Sequence, residues 1–147
     1  GFAFLDGTVE KFDLVVMDLT DPVGPAEALY TTAFYQAANR ALRPGGTLTL
    51  HLGSPFFHPE RFATAVRRLA SVFAIVRPYF VHIPLYGANW GMACAAQRTD
   101  PLAFSAAEVD DRLARRGIAG LQYFNGDTHR AGFALPNFVR ALVPSGG

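Results

Sequence analysis

The sequence predicts an α/β fold: the second half of a doubly wound sheet, ending in an antiparallel β-hairpin. Three observations carry this. "KFDLVVMDL" (11–19) is a short, continuous apolar run ended by aspartate, the pattern of a strand covered on both faces in a parallel sheet. Helical and extended patterns alternate along the chain in the order β-α-β-α-β-β-α. The last two extended segments, 74–86 and 91–97, are separated only by "GANW", a spacing that suits an antiparallel pair.

Each element follows from its local pattern. After the first strand and "DPVGPAEAL", Phe34, Ala37, Ala38, Ala41 and Leu42 share one helical face, with Thr31 as N-cap. "RPGG" (43–46) stops that helix. "TLTLHL" (47–52) alternates strictly, placing Leu48, Leu50 and Leu52 on one face of a strand and Thr47, Thr49 and His51 on the other. "GSPFFHPER" breaks the chain, and Pro59 opens a helix whose buried stripe is Phe62, Val66, Leu69 and Phe73. Beyond the hairpin, Ser105 and Glu108 form a capping box for a helix that runs through Leu113 and stops near Gly117. The tail, "LQYFNGDTHRAGFALPNFVRALV", mixes aromatics with a final short helix.

Bulk properties exclude several functions. The chain has 147 residues, 50% of them hydrophobic and 17% charged, which describes one globular domain or part of one. A net charge of +1 without a block of like charges gives no footprint for nucleic acid. The lone Cys94 can build neither a disulfide framework nor a cysteine metal site. No apolar run approaches the ~18 residues of a membrane-spanning helix, and the N-terminus lacks the features of a signal peptide. A cytoplasmic protein without membrane attachment is expected, and the missing initiator Met suggests a chain that begins mid-protein. The spacing of His51, His58, His82 and His129 gives no two-histidine metal site. The last three of these have structural readings. Arg67-Arg68 and Arg115-Arg116 read as solvated helix faces.

"MDLTDPVGPAEALY" (17–30) admits two readings from its residues alone. Asp18 can simply end a strand while Asp21-Pro22 and Gly24-Pro25 shape a turn. Alternatively, two carboxylates at a strand end, stiffened by glycine and proline, hold a cation or act as a base. In sheets of this type ligands bind beyond the carboxyl ends of the strands. Asp18 and Asp21, His51 with "GSP", and Tyr86 all fall at such ends, so one shared cleft is expected.

The stretch "FDLVVMDLTDPVGPAEALYTTAFYQAANRALRPGGTL" closely resembles the central segment of the polyamine aminopropyltransferases, the spermidine synthase family. "GSP" (53–55), "VRPY" (76–79), "IPLY" (83–86), "WG" (90–91) and "YFNGDTHRAGFALPNFV" follow in the family's order. The resemblance implies a Rossmann-like, S-adenosylmethionine-dependent methyltransferase-type sheet, of which residues 1–147 form the C-terminal part. It also implies transfer of an aminopropyl group from decarboxylated S-adenosylmethionine to an amine such as putrescine, giving spermidine and methylthioadenosine. That donor is a co-substrate, and no cofactor or metal is implied. The enzymes assemble as homo-oligomers, so self-association is expected. By the same resemblance Asp18 is the catalytic carboxylate beside the reacting amine, and Asp21, His51, Tyr86 and Trp90 complete the acceptor site. Gly1, Pro25, Ala26 and Leu29 match donor-binding positions.

The implied chemistry gives the carboxylates a purpose. A diamine is dicationic at neutral pH, and one carboxylate 4 Å from an ammonium gains about 4 kcal/mol at an effective dielectric of about 20. The attacking nitrogen must nevertheless be neutral. For an amine with a pKa of about 10.4, deprotonation at pH 7 costs roughly 4–5 kcal/mol. A carboxylate in contact with the nitrogen can take that proton, provided the geometry allows in-line attack.

Several positions depart from the usual pattern. His51 stands where the family has glutamine, Leu19 where many members have serine or cysteine, and Trp90 is similar to the thermospermine synthase branch. The acceptor therefore stays open among putrescine, spermidine and agmatine. A non-catalytic polyamine-binding module of the same fold is the other class considered. No G-x-G-x-G donor loop occurs in the 147 residues, so that loop and an N-terminal β-domain are expected upstream. The isolated chain is expected to be inactive.

Overall fold

The computed structural model describes residues 1–18 and 24–144, without the side chains of residues 24 and 25. Its centre is a four-stranded sheet of order β1-β2-β4-β3, built from β1 (Phe12–Met17), β2 (Leu42–Gly53), β3 (Ile75–Ile83) and β4 (Ala88–Ala96). β1 and β2 are parallel, joined through α2 (Thr32–Ala41), whereas β4 runs antiparallel to both β2 and β3. Also present are α1 (Phe2–Gly7), α3 (Pro59–Ala70), α4 (Ala106–Arg115), α5 (Gly126–Gly132) and α6 (Asn137–Arg140). Short 3-10 turns cover Gly24–Tyr30, Pro84–Tyr86 and Pro101–Ala103. No helix among the described residues is long and apolar enough to cross a membrane.

The core forms where the predicted stripes meet. Leu48, Leu50 and Leu52 of β2 are buried, as are Phe62, Val66 and Leu69 of α3 and, beyond its end, Phe73. Burying each such side chain contributes roughly 1.5–3 kcal/mol. In α2, Phe34, Ala37, Ala38 and Ala41 are buried, and the Phe34 N–H donates to the Thr31 hydroxyl at 3.3 Å, the expected N-cap. The capping box of α4 is complete: Ser105 accepts from the Glu108 N–H, and the Glu108 carboxylate accepts from the Ser105 N–H at 2.8 Å.

Register explains the departures. β2 begins at Leu42 rather than Thr47, but Phe12 pairs with Leu42 and Leu14 with Thr47. "RPGG" is therefore accommodated as an irregularity in the ladder, and regular pairing starts where the leucine alternation starts. The hairpin turns three residues earlier than "GANW" (87–90): β3 ends at Ile83, Gly87, at φ +59, closes the Pro84–Tyr86 turn, and Ala88, Asn89 and Trp90 belong to β4. Pro78 is tolerated within β3 because that strand is an edge.

β1 is the other edge, and Leu14 and Val16 are more than half exposed. The two-sided cover expected from its apolar run is not found among the described residues. α1 was unanticipated; Phe2 packs edge-on against Phe34 with ring centroids 5.8 Å apart. The tail forms two short helices, α5 and α6, instead of one.

Candidate active site

Of the candidate residues, Asp18, His51, Tyr86 and Trp90 stand at the end of the sheet where β1 and β2 terminate. Asp18 follows directly on β1 and is exposed. Met17, the last residue of β1, pairs with Leu50, so Asp18 and His51 each follow directly on that pair. His51 is 8% exposed. Its Nε2 lies 2.7 Å from the Oη of Tyr30, which comes from the end of the Gly24–Tyr30 turn.

Aromatic contacts extend the group. The Tyr30 ring meets His51 edge-on at 5.9 Å, and Trp90 lies nearly parallel to His51, at 6.3 Å and 23°. Trp90 in turn packs against Tyr86 at 4.5 Å. Tyr30, His51, Trp90 and Tyr86 thus form a continuous series of rings from the β1–α2 connection to the β3–β4 hairpin. Gly53, at φ +78, turns the chain out of β2. The buried Ser54 then shapes the lead into α3, with its carbonyl accepting from the His58 N–H at 2.9 Å.

The pocket between His51 and α3 measures about 20 Å³ and is lined by Tyr30, His58, Arg61 and Trp90 among others. That is room for a single water. Asp18, outside that pocket, and the rings of Trp90 and Tyr86 stand at the same end of the sheet. Such an arrangement can hold a cation between a carboxylate and aromatic faces.

His51, Tyr86 and Trp90 are thus brought together, and Asp18 stands at the same end of the sheet, one residue beyond the Met17–Leu50 pair. Asp21 lies outside the described residues, and so does the Pro25 side chain. Ala26 is partly buried, and Leu29 packs against the core. Gly1 is the exposed N-cap of α1, with nothing within 4 Å of a Cβ built on it.

Two details escaped sequence reasoning. Tyr30 touches His51 across 21 positions of sequence, a relation no local pattern carries. Arg68 is not simply a solvated residue, since its Nη1 donates to the Tyr30 carbonyl at 2.8 Å and ties α3 to the site. His58 is the N-cap residue of α3, His82 is exposed on β3, and the His129 ring bonds the Pro101 carbonyl at 2.9 Å. Among the described residues, no three His, Cys, Asp or Glu side chains are grouped to hold a metal ion.

Comparison with known proteins places these features in a family. The family model described as the spermine/spermidine synthase domain matches residues 1–105. A polyamine aminopropyltransferase from Nitrosomonas europaea is 47% identical over 143 residues, covering 97% of this chain and 44% of that protein. Polyamine aminopropyltransferase 2 from Hyperthermus butylicus is 39% identical, with coverages of 97% and 48%. The chain therefore spans about half the length of the curated relatives it matches. A spermidine synthase crystallised in complex with the transition-state analogue AdoDATO superposes with a TM-score of 0.85 at 32% identity, over 97% of this chain and 48% of that one. The spermidine synthase of Thermotoga maritima gives a TM-score of 0.79 at 31% identity, over 96% of this chain and 46% of that one. Sheet, motifs and matches agree: the chain has the methyltransferase-like fold of the spermidine synthases and belongs to the spermine/spermidine synthase family.

Proposed function

We propose that this chain supplies the acceptor side of an aminopropyltransferase that uses decarboxylated S-adenosylmethionine and putrescine to make spermidine and methylthioadenosine. The observation that carries the reading is that Asp18 and His51 each follow directly on the Met17–Leu50 pair, with Trp90 and Tyr86 forming an aromatic wall at the same end of the sheet.

In this reading the diamine lies across the strand ends. Asp18 contacts the reacting nitrogen and takes its proton, and Asp21 and His51 hold the acceptor. Tyr86 hydrogen-bonds the amine, while Trp90 bounds the far end of its chain. The neutral nitrogen attacks the methylene carbon next to the sulfonium. A C–N bond forms, the C–S bond breaks, and its electron pair stays on sulfur as the thioether of methylthioadenosine. The nitrogen, having given one proton to Asp18 before the attack, becomes the secondary ammonium of the product. The work asked of the site is positioning and proton removal, which need near-contact geometry more than a strong base. Gly1, Pro25, Ala26 and Leu29 contribute to the donor side.

A second reading concerns the acceptor only. Trp90, packed against both His51 and Tyr86, shapes the far end of the site and favours consideration of spermidine or agmatine. The test is turnover of the full-length protein with decarboxylated donor across putrescine, cadaverine, agmatine and spermidine, read as methylthioadenosine release. Putrescine is expected to give the highest kcat/KM. A higher value for spermidine or agmatine selects the second reading, and no release with any amine overturns both.

A further inference from the structure

We infer that Tyr30 is a positioning residue for the acceptor, fixing which nitrogen of His51 is offered to the amine; this rests on the acceptor site proposed above. The two side chains are 6% and 8% exposed and share a hydrogen bond of 2.7 Å between Tyr30 Oη and His51 Nε2. That bond holds the ring in one orientation. Trp90, nearly parallel to the imidazole, and the edge-on ring of Tyr30 restrict it further. With Nε2 engaged, Nδ1 is the nitrogen left for a ligand.

The chemistry of the ligand then fixes the proton. An ammonium group carries only donors, while a neutral imidazole has one donor and one acceptor. Nδ1 can bind an ammonium only as the acceptor. The ring proton therefore resides on Nε2 and is donated to the Tyr30 oxygen. Arg68 holds the tyrosine from behind, donating to its backbone carbonyl at 2.8 Å. Tyr30 thus acts on the amine through His51, without touching it. A histidine can in this way serve a dicationic acceptor as a neutral hydrogen-bond acceptor rather than as a competing cation.

The test uses the full-length protein with putrescine and decarboxylated donor, comparing wild type, Tyr30→Phe, His51→Ala and the double variant. Losing one buried hydrogen bond is expected to raise the amine KM of Tyr30→Phe roughly five- to tenfold, with the donor KM unchanged. In the His51→Ala background, Tyr30→Phe is expected to add less than about twofold, because its effect runs through the missing ring. An unchanged amine KM in His51→Ala means that the acceptor-site reading itself fails. A raised KM there, with Tyr30→Phe within about twofold of wild type, overturns the present inference alone. Equal rises in both KM values, or the same rise in both backgrounds, assign Tyr30 a merely structural role and overturn it too. Ring nitrogen-15 spectra of His51 in the wild-type protein with putrescine give a readout that needs no variant. The proton is expected on Nε2, and finding it on Nδ1 overturns the inference.

Discussion

Gly91 and Phe62 are packed so closely that Gly91 cannot gain a side chain without displacing its neighbours. A methyl group at Gly91 would stand 2.7 Å from Cε2 of Phe62 and 2.7 Å from the carbonyl oxygen of Gly53. Phe62 is fully buried and the second obstacle is backbone, so a larger residue forces β4 away from β2. Gly91→Ala is expected to cost about 1–3 kcal/mol of stability, read as a lower denaturant midpoint at unchanged slope. The shift falls between Trp90 and Gly53, so the amine KM should rise while the donor KM changes little. Wild-type stability in Gly91→Ala would show that the sheet absorbs the methyl group freely.

Asp18 is exposed, which separates its chemical role from its structural one. Asn keeps the shape of the side chain and removes both the charge and the capacity to take a proton. Asp18→Asn should lower methylthioadenosine release by the full-length protein about 10²- to 10⁴-fold, the range for loss of a positioned base. Because exposed substitutions change stability by only about 0.5 kcal/mol, the melting temperature should stay close to that of wild type. Near-wild-type turnover would remove Asp18 from the mechanism.

Elements whose cause is local were legible in the sequence. The leucine alternation at 48, 50 and 52 and the stripe Phe62, Val66, Leu69, Phe73 name the two surfaces that meet in the core. The Ser105–Glu108 box forms both of its reciprocal bonds. What stayed hidden depends on register or distance. The "RPGG" irregularity follows from how far β1 and β2 are offset, and the exposure of Leu14 and Val16 follows from β1 being an edge. Asp18, His51, Tyr86 and Trp90 were each marked by resemblance, and topology accounts for their sharing one end of the sheet. The ring contacts that join His51 and Tyr86 through Trp90, and bring Tyr30 onto His51, depend on side-chain packing, which carries no signal in periodicity.

Arg77 and Asp100 tie β3 to the segment that follows β4. Arg77 Nη2 lies 2.6 Å from Asp100 Oδ2, and its Nε lies 3.1 Å from Oδ1; the Leu102 N–H donates to the same carboxylate at 2.9 Å. Both side chains are about three-quarters buried, so water screens the pair less than an open surface bridge. Asp100→Ala is expected to cost about 1–2 kcal/mol, as lost charge-assisted bonds and a lost turn cap. The hydrogen bond with Arg77 holds the Asp100 carboxyl below its ordinary range. Its contribution is therefore present above the unfolded-state value of about 3.9 and is lost as pH falls toward the lower folded value. Unfolding curves between pH 3 and pH 7 should show wild type losing its advantage over Asp100→Ala at the acid end. A constant difference across that range would sever the pair from acid stability.

Cys94 offers the opposite sign of pH dependence. It lies opposite Thr49 on β2 and Arg77 on β3, and burial pushes its thiol up to about 11, an effect that a hydrogen bond with Thr49 only partly offsets. The thiolate is the reactive form, so at pH 8 about 0.1% of Cys94 is available, against roughly a quarter of an ordinary thiol near 8.5. Alkylation by iodoacetamide under native conditions should accordingly be slow at pH 8 and rise about tenfold per pH unit up to about 11. Because the folded-state value is raised, the contribution to stability is complete below the unfolded-state value and declines as pH climbs toward the folded one. Cys94→Ala should then lose less stability than wild type between pH 8.5 and pH 10.5, as well as abolishing the labelling. Rapid labelling at pH 8, with half-maximal rate below pH 9, would mean that the thiol is solvated in the native protein and that burial at β4 does not govern its ionisation.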